Sequence, residues 1–330
     1  MLFEEVLNTI NENNLIENED KIVVGVSGGP DSMSLLNILI KIKKENIYNI
    51  DIVVSHINHM IRQEADSETM YVQKFCKANN IKCYVKREDV TKLAKDQKVG
   101  TEELGRKIRY DFFEEVLNKT GANKIATAHN ANDNAETVLM NIIRGTGISG
   151  LKGIDIKRNK FIRPLLKSKR SDIEQYCIEE NLDPKFDKTN KENIYTRNKV
   201  RNMLIPYIEE NFNPNIIEAI NKMSDIADEE NNYIKEQVTK TYTEILVSKE
   251  ANTIQLDLKK FNMQQLVIKN RLVLYTIKEL LGTSQGIERV HIRDIIKLCS
   301  NNIGNKFLIP NKKIKVLVKN KKIFFIALWM

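Results

Sequence analysis

Four short apolar, β-branched runs punctuate the N-terminal part of the chain: KIVVGV (21–26), IDIVVSH (50–56), IKCYVK (81–86) and NKIATAH (123–129). Between them lie stretches with helical spacing of apolar positions: DSMSLLNILIKIKKE, DSETMYVQKFCKANN and ELGRKIRYDFFEEVLNK. Strand and helix alternating at this interval predict βαβ units and an α/β domain built on a parallel sheet. In such sheets ligands bind beyond the carboxyl ends of the strands, so the segments that follow each run are the first places to look for chemistry.

Past residue 150 the pattern changes. LKGIDIKRNKFIRPLLKSKR is irregular and basic. SDIEQYCIEENL (171–182) predicts a helix with Ser171 and Glu174 as a capping box. DPKFDKTNKENIYTRNKVRNMLIPYI starts polar and loop-like and becomes helical. A long polar helix is expected over about 215–248, marking a domain joint. Beyond it come the strand-like NTIQLDL, helices near 263–281 and 288–301, and an alternating, Lys-turned end, KFLIPNKKIKVLVKNKKIFFIAL, read as a small antiparallel unit. The expected organisation is a catalytic α/β domain over 1–210 and a smaller α+β domain over 211–330.

Length and composition bound the possibilities. A chain of 330 residues with 42% hydrophobic and 29% charged residues reads as globular. No run of about 18 apolar residues suggests a membrane span, and the acidic N-terminus, MLFEEVLNTINENN, lacks the features of a signal peptide. Cys76, Cys83, Cys177 and Cys299 form no C-x-x-C pair, which leaves a zinc knuckle or dithiol site unsupported and suits a cytoplasmic location. Charge is uneven: residues 1–151 hold 19 Lys and Arg against 22 Asp and Glu, residues 152–170 hold eight bases against Asp155 alone, and residues 211–330 hold 19 against 12. A near-neutral body followed by basic segments is what a nucleic-acid partner selects, although a Lys-rich solvated surface produces it too.

The segment VSGGPDS (26–32) joins the first strand to the first long helical pattern, and three readings compete for it. GVSGG matches the G-x-S-x-G nucleophile elbow, with Ser27 as nucleophile. That reading needs a downstream acid and histidine, and the four histidines, His56, His59, His129 and His291, offer no obvious candidate. GTGISG (145–150) matches a dinucleotide fingerprint but follows a helix, the reverse of the required order. The third reading makes the segment a phosphate cradle. Gly28 and Gly29 allow positive φ and close approach, the helix start favours an anion, and Ser27 and Ser32 add hydroxyls. No Walker-type lysine motif is present.

S-G-G-x-D-S resembles the pyrophosphate loop of the ATP pyrophosphatase (PP-loop) superfamily, whose members cleave ATP between the α and β phosphates. Further motifs, HINHMIR (56–62), EELGRKIRY (102–110), TAHNANDNAETVLMNIIRGTGISGL (127–151), IRPLL (162–166) and DKTN…YTRNKVRNMLIP (187–206), are similar, in this order, to the tRNA(Ile)-lysidine synthetase family. The likeness covers about 20–206 closely and continues more weakly into GNKFLIPNKKIKV. It implies a PP-loop, adenine-nucleotide alpha hydrolase-like fold and an ATP-dependent, carbon–nitrogen bond-forming ligase acting on a CAU-anticodon isoleucine tRNA. It further implies that ATP activates carbon 2 of the wobble cytidine by adenylating the base, that L-lysine attacks that carbon through its ε-amine, and that AMP leaves. Other PP-loop tRNA-modifying or amide-forming enzymes remain alternatives, as does a basic RNA-binding module without catalysis.

Roles follow residue by residue. Ser27, Gly28, Gly29, Pro30, Asp31, Ser32 and His56 are expected at ATP, with Asp31 also a candidate Mg²⁺ ligand. Asp133 and Glu136, spaced i, i+3, share one helix face and suit an ammonium group; the resemblance makes them lysine-binding. Arg106 and Arg109 suit phosphate charge in the transition state, unless they pair with Glu102 or Glu103. Arg197 and Arg201 are carried over as tRNA or active-site contacts, with a helix-capping, salt-bridged surface as the plain alternative, and Lys167, Lys169 and Arg170 are expected as tRNA contacts. The chain departs from the family pattern at Asn132 and Asn134, where acid and glutamine are usual, at Asn58 and at Gly105. It also lacks the family's usual further C-terminal domain, which suggests a short form or a truncation. The resemblance allows a homodimer.

Overall fold

The computed structural model describes residues 1–60, 65–185, 196–301 and 306–328. Arg62, the DKTN segment with Tyr195, and Gly304 and Asn305 of the C-terminal motif lie outside the described residues. Two compact units are present, Met1–Ala227 and Asp228–Met330, dividing within a long helix.

The first unit runs α1 (Leu2–Glu12), β1 (Lys21–Gly25), α2 (Pro30–Lys44), β2 (Asp51–Asn58), α3 (Ala65–Ala78), β3 (Lys82–Arg87), α4 (Val90–Gln97), α5 (Thr101–Thr120), β4 (Lys124–Ala126), α6 (Ala131–Ile143), α7 (Ile148–Leu151), β5 (Lys157–Arg158), β6 (Phe161–Ile162), α8 (Arg170–Glu179) and α9 (Thr196–Lys199). A π-helical turn at Val200–Leu204 leads into α10 (Ile205–Asn211) and the start of α11 (Ile216–Ile245). The sheet has the order β3-β2-β1-β4-β6-β5. β3, β2, β1, β4 and β6 pair in parallel, and β5 is antiparallel to β6. This α/β architecture is the one the alternating pattern predicts; the short β5–β6 pair hides in the irregular basic stretch because two-residue strands have no periodicity to read.

The apolar runs are continuous because both faces of the sheet are covered. Ile22 and Val24 of β1 pack with Ile52 and Val54 beneath α1, α2 and α8, where Val6, Leu36 and Ile173 close the layer. Val23, between them, points the other way with Val53 and Ile125 onto Phe112, Phe113 and Val116 of α5. Gly25 ends β1 where that packing is closest: a Cβ there would lie 2.5 Å from Phe113 Cζ.

One local expectation is corrected. The helix after the basic stretch starts at Arg170, so Ser171 stands inside it, with Oγ 3.2 Å from Asp172 Oδ1, and Glu174 binds Arg170 Nε at 2.8 Å instead of closing a capping box. The Arg170 amide donates to Asn132 Oδ1 of α6 at 3.1 Å. A tertiary acceptor has replaced the local one.

The second unit holds the rest of α11, then β7 (Leu246–Glu250), β8 (Thr253–Asp257), α12 (Leu258–Asn262), α13 (Leu266–Leu281), α14 (Arg289–Ser300), β9 (Lys306–Asn311), β10 (Ile314–Lys319) and β11 (Lys322–Ala327). Its sheet is antiparallel with order β7-β8-β11-β10-β9. Ile314, Val316 and Val318 of β10 and Ile323 and Phe325 of β11 alternate into a core closed by Leu272, Ile277 and Ile295. No helix among the described residues is long and apolar enough to cross a membrane.

Candidate active site

The order reversal in the first sheet lies between β1 and β4: the chain leaves β1 toward β2 on one side and returns through β4 on the other. A crevice must open at the carboxyl ends there, and a cavity of about 870 Å³ does, lined by the β1–α2 loop, the ends of β2 and β4, α5 and Arg197, Arg201 and Asn202.

The β1–α2 loop is a self-bonded cradle. Ser32 Oγ, buried at the first turn of α2, accepts from the amides of Ser27 at 3.1 Å and Gly28 at 3.2 Å and donates to Gly29 O at 3.0 Å. Ser27 Oγ lies 3.1 Å from Ser32 Oγ and accepts weakly from the Gly29 amide. Gly28 takes φ +95°, a conformation a side chain rarely adopts. Gly29, expected to share it, instead has φ −79°. A Cβ on Gly29 would meet only ordinary contacts at 3.6 and 3.7 Å, so the fold itself does not require glycine there. Pro30 at the first helical position presets α2, whose N-cap carries no side-chain hydrogen bond, leaving the helix end open to an anion.

Among the described residues no histidine hydrogen-bonds Ser27, whose Oγ meets Ser32 and the Gly29 amide. His56 is buried with Nδ1 2.8 Å from Val26 O and Nε2 2.9 Å from Thr69 Oγ1, so both ring nitrogens serve to tie β2 to the loop and to α3. His59 lines the cavity with Nδ1 unbonded; burial first, then the charges of Arg109 and His56, push its imidazole down to about 4. His129 also lines it, Nδ1 3.0 Å from Thr127 Oγ1. Burial holds it down to about 4, with Asp133 opposing and Arg163, Arg197 and Arg106 adding to the effect. Both imidazoles are therefore neutral at physiological pH.

Asp31 enters from the first turn of α2 and receives a hydrogen bond from Asn130 Nδ2 at 2.8 Å. Burial and then the Asp133 charge push its carboxyl up to about 6, against Asn130, Arg170 and Arg201, which pull it down. Asn130 is the N-cap of α6: its Oδ1 accepts from the Asp133 amide at 3.0 Å, and Asp133 Oδ2 accepts from the Asn130 amide at 3.2 Å. The N-x-x-D spacing of Asn130 and Asp133 before an apolar helix is the sequence signature of this capping box.

Asp133 and Glu136 do share one face, and Arg197 and Arg201 close on it. Arg201 Nε lies 2.5 Å from Glu136 Oε1 and its Nη2 2.9 Å from Asp133 Oδ1. Arg197 Nε lies 2.7 Å from Glu136 Oε2 and its Nη2 3.2 Å from Asp133 Oδ1. Glu136 is 1% exposed and lies behind the guanidiniums; Asp133 and both arginines line the cavity. This is a balanced cluster of two anions and two cations.

The remaining candidates divide. Arg106 and Arg109 face the cavity from α5, Arg106 stacked on Tyr110 at 4.9 Å, and among the described residues neither meets Glu102, Glu103 or another carboxylate. Lys167 pairs with Asp225, Lys169 with Glu218 at 3.1 Å, and Arg170 with Glu174, all partly solvent-exposed. The departures at Asn58, Asn132 and Asn134 each find partners: Asn58 in Asp66 and the Met60 amide, Asn132 in the Arg170 amide, and Asn134 in Asn221, Ser224 and the Ile154 amide.

A family model described as a PP-loop domain matches residues 2–208. The tRNA(Ile)-lysidine synthase of Clostridioides difficile (strain 630) is 44% identical over 98% of this chain and 71% of that protein. The protein of the same name from Clostridium tetani (strain Massachusetts / E88) is 45% identical over 94% of this chain and 66% of its own length. Among solved structures, the U34-tRNA thiolase from Methanococcus maripaludis superposes with a TM-score of 0.56 over 69% of this chain and 78% of its own, at 18% identity, and shares the fold. The loop after β1, the carboxylate pair on α6 and these relatives agree, and the chain belongs to the tRNA(Ile)-lysidine synthase family of PP-loop proteins.

Proposed function

We propose that the chain joins the ε-amine of L-lysine to carbon 2 of the wobble cytidine of a CAU-anticodon isoleucine tRNA, using ATP and releasing AMP and pyrophosphate. The observation that carries this reading is the sharing of one cavity by a phosphate-shaped loop and a mixed-charge cluster. The loop and the open end of α2 receive the phosphates of ATP. The cluster suits an amino-acid zwitterion: Asp133 takes the α-ammonium, Arg197 and Arg201 take the α-carboxylate, and Glu136 holds both guanidiniums in place from behind. A lysine gripped by its α-groups projects its ε-amine away from the cluster toward the nucleotide.

The chemistry then follows from the surroundings. The cytidine O2 attacks the α-phosphorus, the α–β bridging oxygen leaves with its electron pair in pyrophosphate, and Arg106 and Arg109, unpaired among the described residues, offset the phosphate charge. The ε-amine must lose a proton before it attacks carbon 2, and His129, held down to about 4, is too weak a base to take it from the ammonium group. Asp31 suits Mg²⁺ carried in with ATP. Mg²⁺ binds through one or two carboxylates plus phosphates and water, and a buried carboxyl beside Asp133 gains from a nearby cation. When bound, the ion would neutralise phosphate charge. The paired Lys167, Lys169 and Arg170 can exchange exposed carboxylate partners for RNA phosphates, and the basic second unit has lysines of its own to offer.

The test is incorporation of radiolabelled lysine into CAU-anticodon isoleucine tRNA by the folded chain. ATP-dependent, acid-stable label is the expected result. No label in the presence of all three substrates overturns the proposal, and labelling of Ser27 by a fluorophosphonate would favour a hydrolase instead.

A further inference from the structure

We propose that Lys185 binds the β- and γ-phosphates of ATP, an assignment that rests on the nucleotide reading of this cavity. Lys185 is far from the loop in sequence but fastened to it in space. Its amide donates to Gly28 O at 2.9 Å, and its carbonyl oxygen lies 3.7 Å from where a Cβ on Gly29 would stand. Lys185 is among the residues lining the cavity that holds Ser27 and Asp31, and its Nζ rests 5.4 Å from the Tyr71 ring centre on α3.

The loop's own bonding gives the reason a cation is needed. Ser32 Oγ occupies the Ser27 and Gly28 amides, and Ser27 Oγ occupies the Gly29 amide, so the cradle supplies shape more than free donors. Arg197 and Arg201 are held on Asp133 and the buried Glu136. Lys185 Nζ is instead held 2.6 Å from Asp183 Oδ2, a carboxylate 81% exposed and two residues away. Such an exposed pair is weak, and a polyphosphate outcompetes one carboxylate for the ammonium group. Lys185 then stabilises the charge that accumulates on pyrophosphate as the α–β bond breaks. It moves no proton.

The experiment titrates the full chain with ATP, AMP and inorganic pyrophosphate by calorimetry, without lysine or tRNA. Lys185→Ala is expected to weaken ATP and pyrophosphate binding about tenfold or more while AMP changes less than about twofold, and Lys185→Arg is expected to restore most of the loss. Asp183→Asn should leave ATP binding equal or tighter. A Lys185→Ala chain that unfolds at the parent's temperature and binds ATP equally, or loses AMP in step with ATP, overturns the assignment alone. A parent chain that binds neither nucleotide overturns the assignment together with the nucleotide reading.

Discussion

Asn130 Nδ2 donates to Asp31 Oδ1 at 2.8 Å, joining the loop after β1 to the loop after β4 at the point where the strand order reverses. The same asparagine caps α6 and sets the position of Asp133. One side chain thus couples the side of the cavity proposed for the nucleotide to the side proposed for the amino acid. Asn130→Ala is expected to cost about 1 kcal/mol from the lost cap and to raise the KM for ATP and for lysine together. Steady-state kinetics beside thermal unfolding check this, and a change in only one KM would separate the two halves.

The Asp31 carboxyl is raised on folding from 3.8 to about 6. Between those values the folded chain holds a proton that the unfolded chain releases, so this group's contribution to stability is lost as pH rises through that window. Asp31→Asn removes the cost of the buried anion. The variant should be more stable than the parent at pH 7.5, by up to roughly 3 kcal/mol, with the difference vanishing near pH 4. Denaturant unfolding of ligand-free protein at the two pH values measures it; a constant difference would refute the raised pKa.

Glu136→Ala leaves two guanidiniums without their buried partner and is expected to cost about 2–4 kcal/mol, along with lysine binding. Asp133→Asn keeps the shape and most hydrogen bonds but removes the charge proposed to hold the ammonium group. It should raise the KM for lysine about tenfold, as expected of one lost charge-assisted contact, and move the KM for ATP by less than about twofold. Equal changes in both constants would remove lysine from this cluster.

Gly25 and Gly29 should respond oppositely. Gly25→Ala drives a methyl into Phe113 and is expected to destabilise by about 1–3 kcal/mol. Gly29→Ala meets only ordinary contacts and should stay within about 0.5 kcal/mol of the parent while raising the KM for ATP, because its cost arises only when phosphate approaches. Unfolding midpoints paired with ATP titration distinguish the two.

The second unit carries Lys312, Lys313, Lys319 and Lys321 exposed around the β9–β10 and β10–β11 turns. Each that contacts an RNA phosphate should, on mutation to alanine, reduce the slope of log affinity for tRNA against log salt by about 0.7–0.9. An unchanged slope places the RNA contact elsewhere.

The sequence by itself determined the architecture and the identity of the chemistry-bearing groups. β1 to β4 are legible because a strand covered on both faces must be apolar throughout, and VSGGPDS is legible because a glycine-rich turn into a helix has few uses. The i, i+3 spacing of Asp133 and Glu136 likewise fixes a shared face before any packing is known. Only the tertiary structure decided the partners. Arg197 and Arg201 read as tRNA or active-site contacts with no partner named in the sequence, and the fold closes them on α6 from more than sixty residues away, because a buried carboxylate must find a cation wherever the chain brings one. Ser171 lost its expected capping role to Asn132, and Lys185 reached the loop through a single backbone hydrogen bond. Spacing along the chain reports which groups a helix or strand presents together. Which distant group meets them depends on contacts that no local periodicity encodes.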